Sequence, residues 1–211
     1  MDKFVVRGRR RLHGEVAISG AKNAAVAVIP AAVMATGISV LENLPSIEDV
    51  RKICLTIEKM GGSCKFLDKH TLEIDCNAGV SYQATFEEVQ QMRASYYLLG
   101  ALLGRYKRAE VAMPGGCNFG KSPIDLHLKG FRALGATVIE EDGMVKAYAD
   151  RLIGASIYMD QVSVGATINV MLAASMAEGI TTIENAAKEP HVVDTANYLN
   201  MMGANIKGAG T

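Results

Sequence analysis

Apolar and polar positions along this 211-residue chain switch between a period of two and a period near 3.6, and the switching itself repeats. Leu12-His13-Gly14 opens a strand over Glu15–Ser19, and the small-residue turn Gly20-Ala21 leads into a helix over Ala24–Ala35. That helix is apolar on every side, which predicts burial. Thr36-Gly37, a strand over Ile38–Leu41 and Glu42-Asn43 follow, then an amphipathic helix from about Ile47 to Met60 that ends in Gly61-Gly62. Glycine there supplies the left-handed cap. Late in the chain the order returns. Leu152-Ile153-Gly154 precedes a strand over Ala155–Met159, and Gly165-Ala166 opens an apolar helix over Thr167–Ala177. A strand over Ile180–Ile183 leads to Glu184-Asn185, and a helix over Val192–Met202 ends at Gly203-Ala204.

A third, more altered copy lies between them. It has a helix over Met92–Leu103, a strand over Glu110–Met113 and a helix over Asp125–Leu134 that ends at Gly135-Ala136. The helix-ending glycines Gly61, Gly135 and Gly203 are 74 and 68 residues apart. Repeats at such a period signal stacked copies of one supersecondary unit. Each unit reads as strand, helix, strand, helix, strand, over about 12–76, 85–148 and 152–211. The fold class expected is α/β, with the apolar helices sharing a core and the sheets outside.

Hydrophobic residues make up 49% of the chain and charged residues 21%, a globular balance that excludes disorder. Twenty-two basic residues match twenty-two acidic ones, so no bulk attraction for nucleic acid or an anionic membrane is expected. The longest apolar stretch, Ala24–Ala35, contains Pro30 and falls short of the roughly twenty residues a membrane span needs. The N-terminus shows no secretory h-region, so a soluble, cytoplasmic protein is expected. The four cysteines, Cys54, Cys64, Cys76 and Cys117, show no C-x-x-C spacing and read as free thiols in a reduced compartment. No metal-ligand spacing joins His13, His70, His127 and His191. The first, second and fourth read as turn or surface residues, and His127 falls within a helix.

Three places carry candidate chemistry. Met113-Pro114-Gly115-Gly116-Cys117-Asn118-Phe119-Gly120-Lys121-Ser122-Pro123 is a dense turn segment that presents a thiol between a strand and a helix. Lys121 nearby would lower the pKa of Cys117 and suit it to act as acid or nucleophile. An incidental cysteine on a loop fits the loop equally well. In Ser19-Gly20-Ala21-Lys22-Asn23 a cation stands at a helix start, where it opposes the helix dipole unless an anion is held there. The alternative is a lysine whose head group reaches solvent. Arg93 likewise opens a buried helix, and its planar guanidinium suits an oxyanion. A surface ion pair with Glu87 or Glu88 is its alternative.

Five ordered motifs make the chain resemble the N-terminal half of the UDP-N-acetylglucosamine enolpyruvyltransferases (1-carboxyvinyltransferases) of the EPSP synthase-like superfamily. They are Ile18-Ser19-Gly20-Ala21-Lys22-Asn23, Met92-Arg93-Ala94-Ser95, Pro114-Gly115-Gly116-Cys117, Val162-Ser163-Val164-Gly165-Ala166-Thr167 and Glu184-Asn185-Ala186-Ala187-Lys188-Glu189-Pro190. The resemblance implies an inside-out α/β barrel domain of three repeats in a pseudo-threefold arrangement. Residues 22–211 would form the cysteine-loop domain, and residues 1–21 would pack with a second domain. It implies that Lys22 and Asn23 bind phosphoenolpyruvate, with Lys22 also catalytic. Arg93 would stand at the UDP-sugar site. Cys117 would be the proton donor that also forms a covalent adduct with phosphoenolpyruvate and is alkylated by fosfomycin. Ser122, Pro123, Ile124, Asp125 and Leu126, with Gln161, Val162, Ser163 and Val164, would line the uridine and diphosphate pocket. The family usually has Arg where Ser122 stands, and Lys121 is the nearest cation in this sequence.

The reaction implied transfers the enolpyruvyl group to the 3-hydroxyl of UDP-N-acetylglucosamine and releases phosphate, the first committed step of peptidoglycan synthesis. It needs an acid near C3 of phosphoenolpyruvate and a cationic cradle for phosphate and carboxylate, and no metal or organic cofactor. Family members are about twice this length, and the other half carries the aspartate base and further arginines. This chain alone is therefore expected to be an inactive half, with an apolar face that favours self-association. The rivals are a shikimate-type enolpyruvyltransferase half and a non-catalytic UDP-sugar-binding or regulatory module.

Overall fold

The structure, a computed structural model, describes residues 3–85, 87–90, 92–113 and 124–211, without the side chains of Glu88, Gln90 and Arg93. Its elements in chain order are α1 (Lys22–Ala32), β1 (Ser39–Leu41), α2 (Glu48–Lys59), β2 (Ser63–Phe66), β3 (Leu72–Asp75), β4 (Gln83–Ala84) and α3 (Glu87–Gln90). After a 3-10 turn (Arg93–Tyr96) come α4 (Tyr97–Tyr106), β5 (Arg108–Ala112), α5 (Asp125–Ala133), β6 (Thr137–Glu141) and β7 (Met144–Tyr148). The last are β8 (Ser156–Tyr158), α6 (Val164–Ala174), β9 (Thr182–Glu184) and α7 (Pro190–Met201).

The strands form three sheets, in the orders β1-β3-β2, β4-β5-β7-β6 and β8-β9. In the four-stranded sheet β4 pairs parallel with β5, and β7 pairs antiparallel with both β5 and β6. The parallel pair recurs as β8-β9, and the antiparallel trio as β1-β3-β2. The helices α2, α5 and α7 end alike. Gly62 N–H donates to Ile57 O and Gly61 N–H to Glu58 O; Ala136 and Gly135 bond Phe131 and Arg132 in the same way, as do Ala204 and Gly203 with Leu199 and Asn200. This double bond set is the Schellman cap, and it requires the left-handed φ of Gly61 (103°), Gly135 (92°) and Gly203 (105°). Asn43 and Asn185, the asparagines of the two Glu-Asn pairs, are also left-handed, at φ 57° and 55°.

The three apolar helices α1, α4 and α6 form the interior. Ala27 and Ala31 of α1, Ala101 of α4, Ile168 and Leu172 of α6 and Ala196 of α7 belong to one buried cluster. The larger cluster joins the other faces of those helices to α2, α5 and the inner faces of the sheets. Small residues let the helices approach closely. A Cβ on Gly100 of α4 would stand 2.2 Å from Asn169 O of α6, and one on Gly130 of α5 would stand 2.2 Å from Val170 Cγ2. Among the described residues no helix is long and apolar enough to cross a membrane.

Three expectations are corrected. The strand over Glu15–Ser19 does not form: residues 3–21 contain no helix or strand, and Val16 and Ile18 are 84% and 90% exposed. A strand needs a neighbour for its backbone, and no described strand lies beside this segment. The helix expected over Met92–Leu103 begins as a 3-10 turn, held by Ser95 Oγ donating to Met92 O, before α4 takes over. Finally, two of the units close with a hairpin (β2-β3 and β6-β7) rather than one strand, while residues 205–211 form none. There Asn200 holds Ile206 through both its amide atoms, tying the chain back onto α7.

Gly100→Ala should be severely destabilising, because the added methyl meets backbone that cannot swing aside. The expected loss is about 3 kcal/mol or more, a fall in Tm on the order of 6–12 °C for a domain of this size. Gly37→Ala, whose methyl would find no atom within 4 Å, should leave Tm nearly unchanged. Equal melting of the two variants would show that α4 and α6 separate without cost.

Candidate functional site

The starts of α5 and α6 are the best-built candidate site among the described residues. Asn169, fully buried in the middle of apolar α6, holds them together. Its Oδ1 accepts from Gly100 N–H (2.7 Å), which fixes the amide orientation, since an N–H can only donate. Its Nδ2 therefore donates to Tyr96 O (2.7 Å) and to His127 Nδ1 (2.9 Å). One amide thus ties the 3-10 turn, α4, α5 and α6, with all three of its usual bonds made. Because His127 Nδ1 accepts, the neutral ring carries its proton on Nε2. The ring lies 5.9 Å from that of Tyr96 and only 7% exposed, and burial pushes its pKa down to about 4.

The segment Gln161–Val164 is pinned from several sides. Lys129 Nζ donates to Tyr158 O (2.9 Å) and to Asp160 Oδ2 (2.7 Å), linking α5 to the end of β8. Asn185 Nδ2 donates to Met159 O (2.8 Å), and Ala187 N–H donates to Thr167 Oγ1 (3.0 Å). Ser163 caps α6 by accepting from Ala166 N–H at 3.3 Å. Gln161 and Val162 are exposed, and Ser163 and Val164 half-buried. Across from them Ile124 is buried, Asp125 exposed and Leu126 half-buried, with Asp125 opening α5. The structure therefore brings Ile124–Leu126 and Gln161–Val164, expected to line one pocket, to neighbouring helix starts.

Lys22 and Asn23, both exposed, open α1. The mismatch of Lys22 with the helix dipole is met by Asp49 of α2, whose Oδ2 lies 3.0 Å from Nζ. Both side chains keep solvent contact, at 56% and 31%, so this ion pair is weak and open to exchange for a ligand anion. Among the described residues no hydrogen bond or ion pair joins Lys22 to the α5–α6 starts. The close passage of Gly20 sets its position, for a Cβ there would overlap Asn43 O at 1.7 Å. Arg93 opens the 3-10 turn, and its side chain lies outside the described set. Cys117, Lys121, Ser122 and Pro123 also lie outside the described residues.

The other three thiols are enclosed or half-enclosed. Cys54 and Cys76 are buried and Cys64 is intermediate. A hydrogen bond with Cys54 and burial both raise the Cys64 pKa, and burial raises that of Cys76. Among the described residues no group of three or more His, Cys, Asp or Glu could hold a metal ion. A cavity of about 430 Å³ lies elsewhere, between the far half of α6, β9 and residues 203–209, its alanine- and glycine-rich wall also carrying Thr181, Asn205 and Lys207. Thr181 Oγ1, in its wall, is buried and has no hydrogen-bond partner among the described residues.

Sequence reading missed Asn169, His127 and the pair Lys129–Asp160. Asn169 did carry a signal, as the sole amide within the run Ala166–Ala174. His127 and Lys129 carried none, because their partners lie at separations of 42 and 31 residues.

A family model described as EPSP synthase (3-phosphoshikimate 1-carboxyvinyltransferase) matches residues 6–211. The chain is 58% identical, over its full length, to UDP-N-acetylglucosamine 1-carboxyvinyltransferase 2 of Clostridium acetobutylicum and covers 50% of it. It is 57% identical, again over its full length, to UDP-N-acetylglucosamine 1-carboxyvinyltransferase of Clostridium botulinum, covering 51%. The chain thus spans about half the length of the curated relatives it matches. Among solved structures, the enolpyruvyl transferase NikO of Streptomyces tendae superposes with a TM-score of 0.83 at 26% identity, covering 96% of this chain and 48% of NikO. An EPSP synthase of Acinetobacter baumannii does so at 0.71 and 21% identity, covering 93% of this chain and 45% of that one, a likeness of fold alone.

Two outcomes follow. His127 is neutral when folded but protonates near pH 6.5 when unfolded, so the unfolded state binds the extra proton as pH falls. Stability should therefore drop between pH 6.5 and about 4, by up to about 3 kcal/mol. Denaturant melts of wild type and His127→Asn across that range should diverge, and parallel curves would refute the buried neutral ring. Brief alkylation of the folded chain should label mainly Cys117, because Cys64 and Cys76 are held as thiols and Cys54 is enclosed. Equal labelling of all four by mass spectrometry would remove that distinction.

Proposed function

Because the chain belongs to the EPSP synthase family, we propose that it is one half of an enolpyruvyltransferase that moves the enolpyruvyl group of phosphoenolpyruvate to the 3-hydroxyl of UDP-N-acetylglucosamine, the first committed step of peptidoglycan synthesis. One observation carries this reading. Relatives bearing that activity in their names match the whole chain at 50–58% identity. The shikimate-type rival has less support, at 21% to a solved EPSP synthase.

The shared caps at Gly61, Gly135 and Gly203 and the recurring strand pairings support reading the domain as three copies of one unit around α1, α4 and α6. The β4-β5-β7-β6 sheet would be the full pattern. Among the described residues the first copy has no parallel strand beside β1 and the third no hairpin beside β9, where the cavity and Thr181 lie.

The chemistry assigns roles. The 3-hydroxyl gives its proton to a base and adds to C2 of phosphoenolpyruvate while C3 gains a proton; phosphate then leaves from the tetrahedral intermediate as C3 gives up a proton, which restores the double bond. Cys117 serves as the acid toward C3, and Lys22 with Asn23 holds phosphoenolpyruvate, the lysine leaving Asp49 to do so. Arg93, Ser122–Leu126 and Gln161–Val164 bind the sugar nucleotide; the pinned starts of α5 and α6 support that pairing. The remaining groups come from a second domain, and catalysis needs both walls placed to within about an ångström.

Alone, the chain should release no phosphate from the two substrates and bind UDP-N-acetylglucosamine weakly. Joined to the C-terminal half of the Clostridium acetobutylicum relative, it should release phosphate with UDP-N-acetylglucosamine as acceptor. Cys117→Ala should then cut turnover by roughly 10²–10⁴-fold. Activity with shikimate 3-phosphate instead would favour the rival family reading. A folded chimera inert to both acceptors would leave a non-catalytic module, and turnover by the chain alone would overturn the divided site.

A further inference from the structure

The third sheet has a gap where the other two have a strand. In the orders β1-β3-β2 and β4-β5-β7-β6, the second strand of each hairpin (β3 or β7) lies between an earlier strand and the first strand of the hairpin. Those first strands, β2 and β6, begin at Ser63 and Thr137, each two residues past its cap glycine. Asn205 stands two residues past Gly203, and residues 203–209 run along one wall of the cavity of about 430 Å³. Thr181 and Ile183 stand in the other wall. The cavity therefore lies where β3 and β7 lie in the other copies. Backbone direction agrees. Thr182 N–H donates to Ala155 O on the β8 side, so alternation along the strand turns the N–H and C=O of Ile183 toward the cavity. Side chains agree as well. The pairs Ala84↔Val111 and Ile157↔Ile183 each start from a buried residue, which sets Ile183 where Val111 stands. Val111, with β7 across it, is 1% exposed, whereas Ile183 is only half-buried. Beside it Thr181 Oγ1 is enclosed with no hydrogen-bond partner among the described residues. Thr211 N–H donates to Gly208 O (3.1 Å), with Gly208 and Gly210 at left-handed φ of 77° and 83°. That turn reverses the chain as Asp142 and Gly143 reverse it between β6 and β7.

We propose that this cavity seats one antiparallel β-strand, the strand that continues the chain from the Gly208–Thr211 turn in the longer relatives. The cavity offers what a central strand consumes, namely unpaired backbone groups on β9 and an apolar floor. β3 and β7 set the pattern the occupant carries, with alternate residues buried: Leu72 and Ile74 in one, Val145 and Ala147 in the other. The curated relatives have as much chain again outside the matched part, so polypeptide to supply the strand is at hand. A charged small molecule fits less well, because Lys207 is the sole charged residue in the described lining. The inference rests on reading the domain as three copies of one unit, and not on the reaction assigned to it. It makes the cavity of the isolated chain a site for strand addition by an extended segment.

The chain can be lengthened by about ten residues, those that follow the matched half in the Clostridium acetobutylicum relative, enough for one strand. A second version carries the same residues in an order that destroys their apolar alternation. Amide hydrogen exchange followed by NMR is the probe, with Tm measured alongside. In the 211-residue chain the Ile183 amide should exchange fast, while the Thr182 amide, bonded to Ala155 O, is protected. Lengthening should slow Ile183 by about tenfold or more and raise Tm by several degrees. The reordered tail should do neither. An Ile183 amide that stays fast in the lengthened chain, or slows equally with the reordered tail, would overturn the proposal. Protection already present without the added residues, and rising with protein concentration, would assign the cavity to a second copy and overturn it likewise. None of these results touches the enolpyruvyltransferase reading, which fails separately if the chimera turns over neither acceptor.

Discussion

The close crossing of α4 and α6, with the Asn169 amide sealed inside it, is the contact on which the rest of the domain depends. Gly100 permits the approach and supplies the N–H that orients the amide. A polar group at the centre of an apolar core is costly unless every bond is made, and here the carbonyl and both amide hydrogens are used. That requirement sets the relative rotation and depth of three helices in a way apolar packing alone would not. It also makes the interior directional: one end of the crossing bears His127 and the first turn of α6.

Helix starts then become the natural place for ligand chemistry. Lys22 opens α1, Asp125 opens α5 and Ser163 caps α6, and the first-turn N–H groups of a helix are the ones its own carbonyls leave unbonded. The lateral ties, Lys129 to Asp160 and Lys22 to Asp49, are exposed ion pairs worth little to stability. Their value is positional, since they hold short connecting segments against helix ends without burying charge.

The sheets show the cost of leaving edges open. β5 has neighbours on both sides and its residues Ala109–Ala112 are buried, whereas β9 has one neighbour and its three residues are exposed or half-buried. The cavity beside β9 and the unpartnered Thr181 hydroxyl mark where that imbalance falls. An edge of this kind invites another strand, from whatever source.

Local information determined much of this protein. The periods placed six of the helices and four of the nine described strands, and the glycines after α2, α5 and α7 announced their caps, because a left-handed residue at a helix end is a local requirement that glycine meets. The runs around Lys22, Ser163 and Asn185 stand at two helix starts and a left-handed turn, features that short stretches of sequence specify by themselves. Other features were decided only by tertiary structure. Strand-like alternation over Glu15–Ser19 formed no strand, since pairing needs a partner that periodicity cannot supply. His127 read as one more helical residue, and its bond with Asn169, 42 positions away, appeared only when folding set the two together. Covalent neighbours fix what a backbone can do locally, but a hydrogen bond between distant side chains exists only once the whole core has closed around it.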